Sequence, residues 1–186
     1  MKTVANKQIV VGADGGGVDL KNHVVAWLES EGWEVLDLGC KVRGEENSPM
    51  FQRVGFKVGA KISEGEYEKG LIFCGTGMGI HIAASRCPHV HAAVIESVAA
   101  AQRCATGNGC NIMSMGGNYV APATAIECVK AFLGHNLGDT FENFPGFYEY
   151  HKLARDEIEA FDYEAYKANG FQPIKLGDVK LERPKK

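Results

Sequence analysis

Leu71-Ile72-Phe73-Cys74-Gly75-Thr76-Gly77-Met78-Gly79-Ile80 is the stretch that decides the fold. An apolar run ends on a cysteine and opens at once into a glycine-rich turn, followed by an apolar, helix-compatible segment. A buried parallel strand feeds a phosphate- or oxyanion-binding loop in this way. Gly75, Gly77 and Gly79 let the backbone approach a ligand, so that several N–H groups can point at one negatively charged oxygen. A thiol at the mouth of such a loop stands near a helix N-terminus, where a thiolate is favoured. Base and oxyanion hole then lie side by side, as enediolate chemistry requires. Side-chain bulk at Gly77 is expected to block the ligand while sparing the fold. The other reading of Cys74 is a small buried strand residue, the commoner fate of a cysteine.

Working outward, strands and helices alternate. Ile9 to Gly12 reads as a β-branched strand, followed by Ala13-Asp14-Gly15-Gly16-Gly17 and a helix carrying Leu20, Val24, Trp27 and Leu28 at three- and four-residue steps. Glu31-Gly32 stops that helix and Trp33 to Leu38 is the second strand. After a polar loop, Pro49 suits the first turn of a helix running to Glu64. Gly70 to Cys74 is strand three, with its helix from about Gly77 to Ser85. His91 to Ile95, Ser97 to Thr106, Cys110 to Met115 and Ala121 to Leu133 continue as strand, helix, strand and helix. This alternation, with continuous apolar strands, predicts an α/β fold: a Rossmann-like three-layer sandwich with a five-stranded, mostly parallel sheet covered by helices on both faces. Ligands of such sheets bind beyond the carboxyl ends of the strands, which places Asp14 and the Cys74 loop on one edge.

The chain of 186 residues carries a formal charge of −3, which supports neither a nucleic-acid partner nor an anionic membrane. No run approaches the ~20 apolar residues of a membrane span, and Met1 to Lys7 lacks the apolar core of a signal peptide. Cys40, Cys74, Cys87, Cys104, Cys110 and Cys128 show neither a C-x-x-C pair nor framework spacing. Reduced thiols in a cytoplasmic protein, without zinc, are therefore expected. Residues 1–138 are expected to form the domain. Beyond it, Phe141, Phe144, Phe147, Tyr148 and Tyr150 crowd around Pro145-Gly146, and Leu153, Ile158, Phe161 and Tyr166 suggest one more helix. The segment 139–186 is too short for a domain of its own and reads as an interface element or lid. Its aromatics need cover from the sheet domain or from a second subunit, and Val179 to Lys186 is charged enough to fray.

The order of these landmarks resembles the ribose-5-phosphate isomerase B / galactose-6-phosphate isomerase family of aldose–ketose isomerases, over roughly residues 8 to 135. The matching elements are Cys74-Gly75-Thr76-Gly77-Met78-Gly79-Ile80 with Ala83-Ala84, Val10-Val11-Gly12-Ala13-Asp14, Gly32 to Gly39, and Asn108 and Asn111 ahead of Ile112 to Gly117. The resemblance implies an isomerase of a small carbohydrate that needs no cofactor or metal, a homodimer with its sites at the subunit interface. It makes Cys74 the base that moves a proton between C1 and C2, with Thr76 handling the sugar oxygens. The amides of Gly75, Gly77, Met78 and Gly79 would hold the enediolate, and Asp14 and Asn108 would contact the substrate. Asp14 could instead be a helix cap, and Asn108 beside Gly107 simple turn chemistry.

Three departures fall at the recognition end. Many members have a histidine directly after the first aspartate, and another, associated with ring opening, directly before the asparagine of the strand-five lead; here those places are Gly15 and Gly107. Their Gly-Gly-Arg-His run, which grips the phosphate, is matched only by Leu137-Gly138-Asp139-Thr140-Phe141. Arg43, Arg53, Arg86, Arg103 and Arg155 are the arginines from which a replacement would come, His81 could face the site, and Glu96 lies on the ligand edge. A changed substrate is expected, with the proton-transfer loop kept. A non-catalytic sugar- or nucleotide-binding module remains open. An NAD enzyme does not fit well, because Asp19-Leu20 breaks the G-x-G-x-x-G spacing.

Overall fold

A computed structural model describes residues 1–173 and 175–181. Five strands, β1 (Gln8–Ala13), β2 (Glu34–Asp37), β3 (Gly70–Cys74), β4 (Ala92–Val94) and β5 (Ile112–Gly116), form one sheet in the order β2-β1-β3-β5-β4. Every pairing is parallel, so the sheet is wholly rather than mostly parallel. The helices are α1 (Val18–Ser30), α2 (Phe51–Ser63), α3 (Met78–Ala84), α4 (Val98–Asn108), α5 (Pro122–Leu133), α6 (Phe147–Glu159) and α7 (Tyr163–Ala168).

Two buried clusters lie on the two sheet faces. Leu71 and Phe73 point to one, with Leu20, Val24 and Leu28 of α1, Ala101 and Ala105 of α4, and Val129 and Phe132 of α5. Ile72 and Cys74 point to the other, with Val54 and Val58 of α2 and Ile80 and Ala84 of α3. The two-residue period of a strand thus decides which layer the thiol faces. The chain runs from β1 out to β2 and returns to β3 on the other side of β1. The carboxyl ends of β1 and β3 therefore flank the point where the winding reverses, where open α/β sheets bind their ligands.

Lys21 was hidden from the sequence reading by the apolar face it sits among. It is 1% exposed, and its Nζ lies 2.5 Å from Asp37 Oδ2 and 2.7 Å from the Cys40 carbonyl oxygen, tying α1 to the end of β2. Removing one partner of a buried pair leaves an uncompensated charge. Lys41 and the Gly39 N–H still reach Asp37, so the Lys21→Ala loss is expected at about 3 kcal/mol, the lower end for such pairs. Urea unfolding measures it, and a loss below about 1 kcal/mol, the range of a surface pair, would show the tie to be unimportant.

The C-terminal segment differs from the expectation. One helix was read and two are present, because Asp162 accepts the Ala165 N–H at 2.6 Å and starts α7 afresh. Phe147 is buried beneath α6, its ring stacked on Phe141 at 4.0 Å with the Arg103 guanidinium of α4 over both. Glu159, at the other end of α6, accepts from His91 at 2.6 Å, and that bond chiefly holds its carboxyl below the usual carboxylate range. Ile158, Phe161, Tyr163 and Phe171 stay largely exposed. Of the stretch expected to fray, residues 182–186 lie outside the described residues.

Candidate active site

Cys74 closes β3 and is 4% exposed. Its Sγ accepts the N–H of Gly77 at 2.9 Å. The reversal that brings this amide back to the sulfur needs φ = +77° at Gly77, a left-handed conformation suited to glycine. A Cβ there would lie 2.9 Å from the Met115 carbonyl carbon and 3.0 Å from the Gly116 nitrogen. The expectation that bulk at Gly77 spares the fold is therefore corrected: the obstacle is the β5 backbone.

The loop amides divide in two. Gly77 N–H is spent on the sulfur, and Met78 N–H on Thr76 Oγ1 at 3.2 Å. The N–H groups of Gly75, Thr76 and Gly79 have no acceptor among the described residues. Thr76 Oγ1 is 3.9 Å from Cys74 Sγ. Because it accepts from Met78, its own proton remains available to a ligand oxygen.

Asp14 is next to this loop. Its Oδ1 accepts the N–H groups of Gly16 and Gly17, both at 2.9 Å, and its own N–H donates to the Phe73 carbonyl. One carboxylate oxygen thus caps the turn, while Oδ2 makes no protein hydrogen bond among the described residues. The triple glycine has a packing cause. A Cβ on Gly17 would lie 2.4 Å from the Phe73 carbonyl carbon, and one on Gly16 would lie 2.8 Å from the Gly75 nitrogen. The turn after β1 is pressed against the end of β3.

Sequence reasoning missed Ser48, Phe51 and Asn118. A Cβ on Gly15 would meet Ser48 Oγ at 3.2 Å, one on Gly79 the Phe51 ring at 2.7 Å, and one on Gly75 the Asn118 Nδ2 at 3.3 Å. Phe51 and Asn118 wall the loop from the α2 and β5 sides, and Ser48 stands against the turn after β1. No local pattern marks them, since only the tertiary fold brings them to these turns.

Asn108 is elsewhere. It is the exposed last residue of α4, at the sheet edge where β3 and β5 begin rather than end, with Gly70 paired to Ile112. Within one chain it does not join Cys74. Asn111 is structural: it accepts the His91 N–H and donates to the His89 carbonyl, both at 2.8 Å. His81 is packed against the Ala92 carbonyl at 3.2 Å. Glu96 is exposed, and Ser97, not Glu96, caps α4. Arg43 pairs with Asp19, and Arg53 and Arg86 are exposed. Among the described residues no His, Cys, Asp and Glu group could hold a metal, and no helix is long and apolar enough to cross a membrane.

Residues 9–143 match the model of the ribose/galactose isomerase family. The chain is 32% identical over 160 residues to 4-deoxy-4-sulfo-D-erythrose isomerase of Clostridium sp. strain MSTE9, covering 86% of this chain and 98% of the relative. It is 30% identical to D-erythrulose-4-phosphate isomerase of Pectobacterium atrosepticum, over 67% and 81% of the two chains. With ribose-5-phosphate isomerase B of Escherichia coli the identity is 33%, over 69% and 84%. Ribose-5-phosphate isomerase B of Clostridium thermocellum superimposes with a TM-score of 0.73 at 28% identity, over 87% and 99% of the chains.

Proposed function

The chain belongs to the ribose/galactose isomerase family, and on that premise we propose that Cys74 is the base of an aldose–ketose isomerase acting on a small, open-chain sugar. The observation that carries this reading is the thiol held by the Gly77 N–H beside three loop amides without an acceptor among the described residues. The Cys74 thiolate takes the proton from C2 of the aldose. The electron pair moves into the C1–C2 bond, and the carbonyl oxygen becomes an enediolate oxyanion. Gly75, Thr76 and Gly79 N–H groups stabilise it, each such donor being worth roughly 3–4 kcal/mol in other enzymes. The proton on O2 passes to O1, the electron pair of the resulting C2 oxyanion re-forms a carbonyl at C2, and C1 takes the proton back from the thiol, giving the ketose. Thr76 donates its hydroxyl proton to a sugar oxygen, and Asp14 Oδ2 accepts from a sugar hydroxyl. Thiol and amides supply both roles, so the reaction proceeds without metal or cofactor.

Gly107 argues for an open-chain substrate. The space a side chain would take there is filled by the Arg103 guanidinium, 2.7 Å from an added Cβ, so no ring-opening base stands at that position. A four-carbon aldose substituted at C4 has no C4 hydroxyl with which to close a five-membered ring. Two of the relatives carry such four-carbon sugars in their names. Isomerisation of C4-substituted tetroses and of ribose 5-phosphate, with proton exchange from heavy water, tests this. The tetroses should turn over and ribose 5-phosphate should not. A ribose 5-phosphate kcat/KM near ~10⁴ M⁻¹s⁻¹, an ordinary enzymatic value, would overturn the substrate reading. Binding of a sugar without any label entering it would favour the non-catalytic binding module.

Asn108 contacts substrate only if a second copy carries it to the Cys74 edge. The working unit is a cytoplasmic homodimer in which residues 139–186 are an appended arm rather than a domain. The exposed Ile158, Phe161 and Tyr163 support this, because a monomer gains nothing by leaving them in water. Mixing Cys74→Ser with Asn108→Ala chains, each inactive alone, should restore about a quarter of wild-type activity, the statistical yield of one intact site per mixed twofold dimer. No recovery after subunit exchange would place both residues in one chain's site.

A further inference from the structure

Two thiols that the proposed chemistry does not use meet where α4 ends and β5 begins. Cys104 lies near the end of α4, and Cys110 follows two residues after the helix closes on Asn108; both are free. Gly109, at φ = +60°, turns the chain back, so that the Cys110 N–H donates to the Cys104 carbonyl at 3.0 Å. One hydrogen bond between the two backbones limits their α-carbon separation to about 7 Å, within the reach of a disulfide. The side chains converge as well. The Cys110 thiol donates to the Cys104 sulfur, and the Cys104 thiol donates in turn to the Ala101 carbonyl at 3.1 Å.

A buried cysteine is ordinarily inert, and Cys104 and Cys110 are 6% and 7% exposed. Both nevertheless line a cavity of about 520 Å³ between α4, β4 and α6, whose lining runs out to the exposed Asn108 and Ile158. A water molecule takes up about 30 Å³, so a small hydroperoxide has room to reach the sulfurs. Charge favours Cys104 as the first to react. Its hydrogen bond from Cys110, and then the nearby Lys69 ammonium, hold it below the ordinary cysteine value against burial. The same bond, burial and the Cys104 charge push Cys110 up. Cys128 is close enough to feel the Cys104 charge, but it is fully buried and does not line this cavity. The groups beside the Cys74 sulfur are the Gly77 N–H and the Thr76 hydroxyl, so oxidation there has no thiol with which to close a bridge.

We propose that Cys104 and Cys110 form a reversible oxidation site, which closes to a disulfide on reaction with a hydroperoxide and so displaces Asn108. Cys104 gives up its proton and its sulfur attacks a peroxide oxygen. The O–O bond breaks, and with hydrogen peroxide the departing hydroxide takes up that proton as water. Cys110 then attacks the sulfur of the resulting sulfenic acid, the S–O bond breaks, and the second hydroxide leaves with the Cys110 proton. Two thiols lose two electrons and two protons, and one hydrogen peroxide becomes two waters. Bonded sulfurs stand about 2 Å apart, much closer than a hydrogen-bonded pair, so the turn between them is drawn in, with Gly107 and Asn108 inside it. The bridge stands without the isomerase reading. Its effect on turnover rests on that reading and on Asn108 reaching the substrate.

Hydrogen peroxide added in small excess to the reduced protein, followed by alkylation under denaturing conditions before and after dithiothreitol, reads the site by mass spectrometry. Cys104 and Cys110 should be blocked together and recovered by dithiothreitol, with the intact mass lower by two hydrogens. In Cys110→Ser the reaction should stop at a sulfenic acid on Cys104, which dimedone traps. If that variant does not fold, the wild-type map decides alone. Cys104 and Cys110 left free while Cys74 or Cys87 oxidises overturns the proposal, and so does a bridge from Cys104 to Cys128. The map needs no substrate, so it stands apart from the isomerase reading. With an aldose that turns over, and at a dose that leaves Cys74 open to alkylation, the bridged protein should lose about tenfold in kcat/KM, the factor for one hydrogen bond of ordinary strength. Dithiothreitol should restore it. A bridge that forms with turnover unchanged overturns the displacement of Asn108.

Discussion

Cys74→Ser should lower kcat at least ~100-fold while leaving KM and melting temperature close to wild type, the loss of a positioned general base. Serine matches the volume of cysteine and offers an oxygen to the Gly77 N–H, which holds the sulfur at 2.9 Å. The loop should therefore survive the change. What disappears is the sulfur, since an alcohol is a far weaker acid than a thiol and serves poorly as the base. The measurement is steady-state turnover of the aldose accepted by the wild type, with hydrogen exchange at C2 as a second readout. Turnover within threefold of wild type would remove Cys74 from the mechanism.

Gly77→Val should unfold the protein more than it inactivates a folded one. A β-branched residue in the left-handed region costs about 1–2 kcal/mol, and the Cβ contact with the β5 backbone adds overpacking of about 1–3 kcal/mol. The sum is a large share of the ~5–15 kcal/mol that holds a domain together. Urea unfolding and activity per folded molecule separate the two effects. If the variant is as stable as wild type yet inactive, bulk at this position acts on the ligand after all.

The sequence carried the layered fold because its strands are short apolar runs punctuated by glycine and asparagine, and each found its place within about two residues. Cys74, Thr76 and the loop glycines were legible for the same reason: they are contiguous, so their geometry is local. Asp14 was half legible. Its place at the end of β1 could be read, but not that one carboxylate oxygen caps the turn and leaves the other without a hydrogen bond among the described residues. Ser48, Phe51, Asn118 and Lys21 were invisible, because what matters about them is which distant backbone they touch. The edge on which Asn108 stands was not read from the sequence, for a related reason. Residue order says that it precedes β5, and the direction of a parallel strand then puts it at the far edge. The break between α6 and α7 was within reach, since Asp162 stands three residues before the N–H it caps.

The turns after β1, β3 and β5 interlock with almost no room between them. A Cβ on Gly16 would meet Gly75, one on Gly116 would meet Thr76, and one on Gly117 would lie 2.8 Å from the Gly16 carbonyl oxygen. Each turn is a mould for the other two, so a side chain at Gly16, Gly116 or Gly117 has nowhere to go. Variation is blocked there by geometry alone. The far edge is built from side chains around cavities instead, and one residue can be exchanged for another with only its neighbours adjusting. On the proposed mechanism, a lineage of such proteins can therefore wander in what it grips while its proton-moving half stands still. New substrates would then be reached by redecorating one end of the sheet, with the chemistry at the other end inherited as a block.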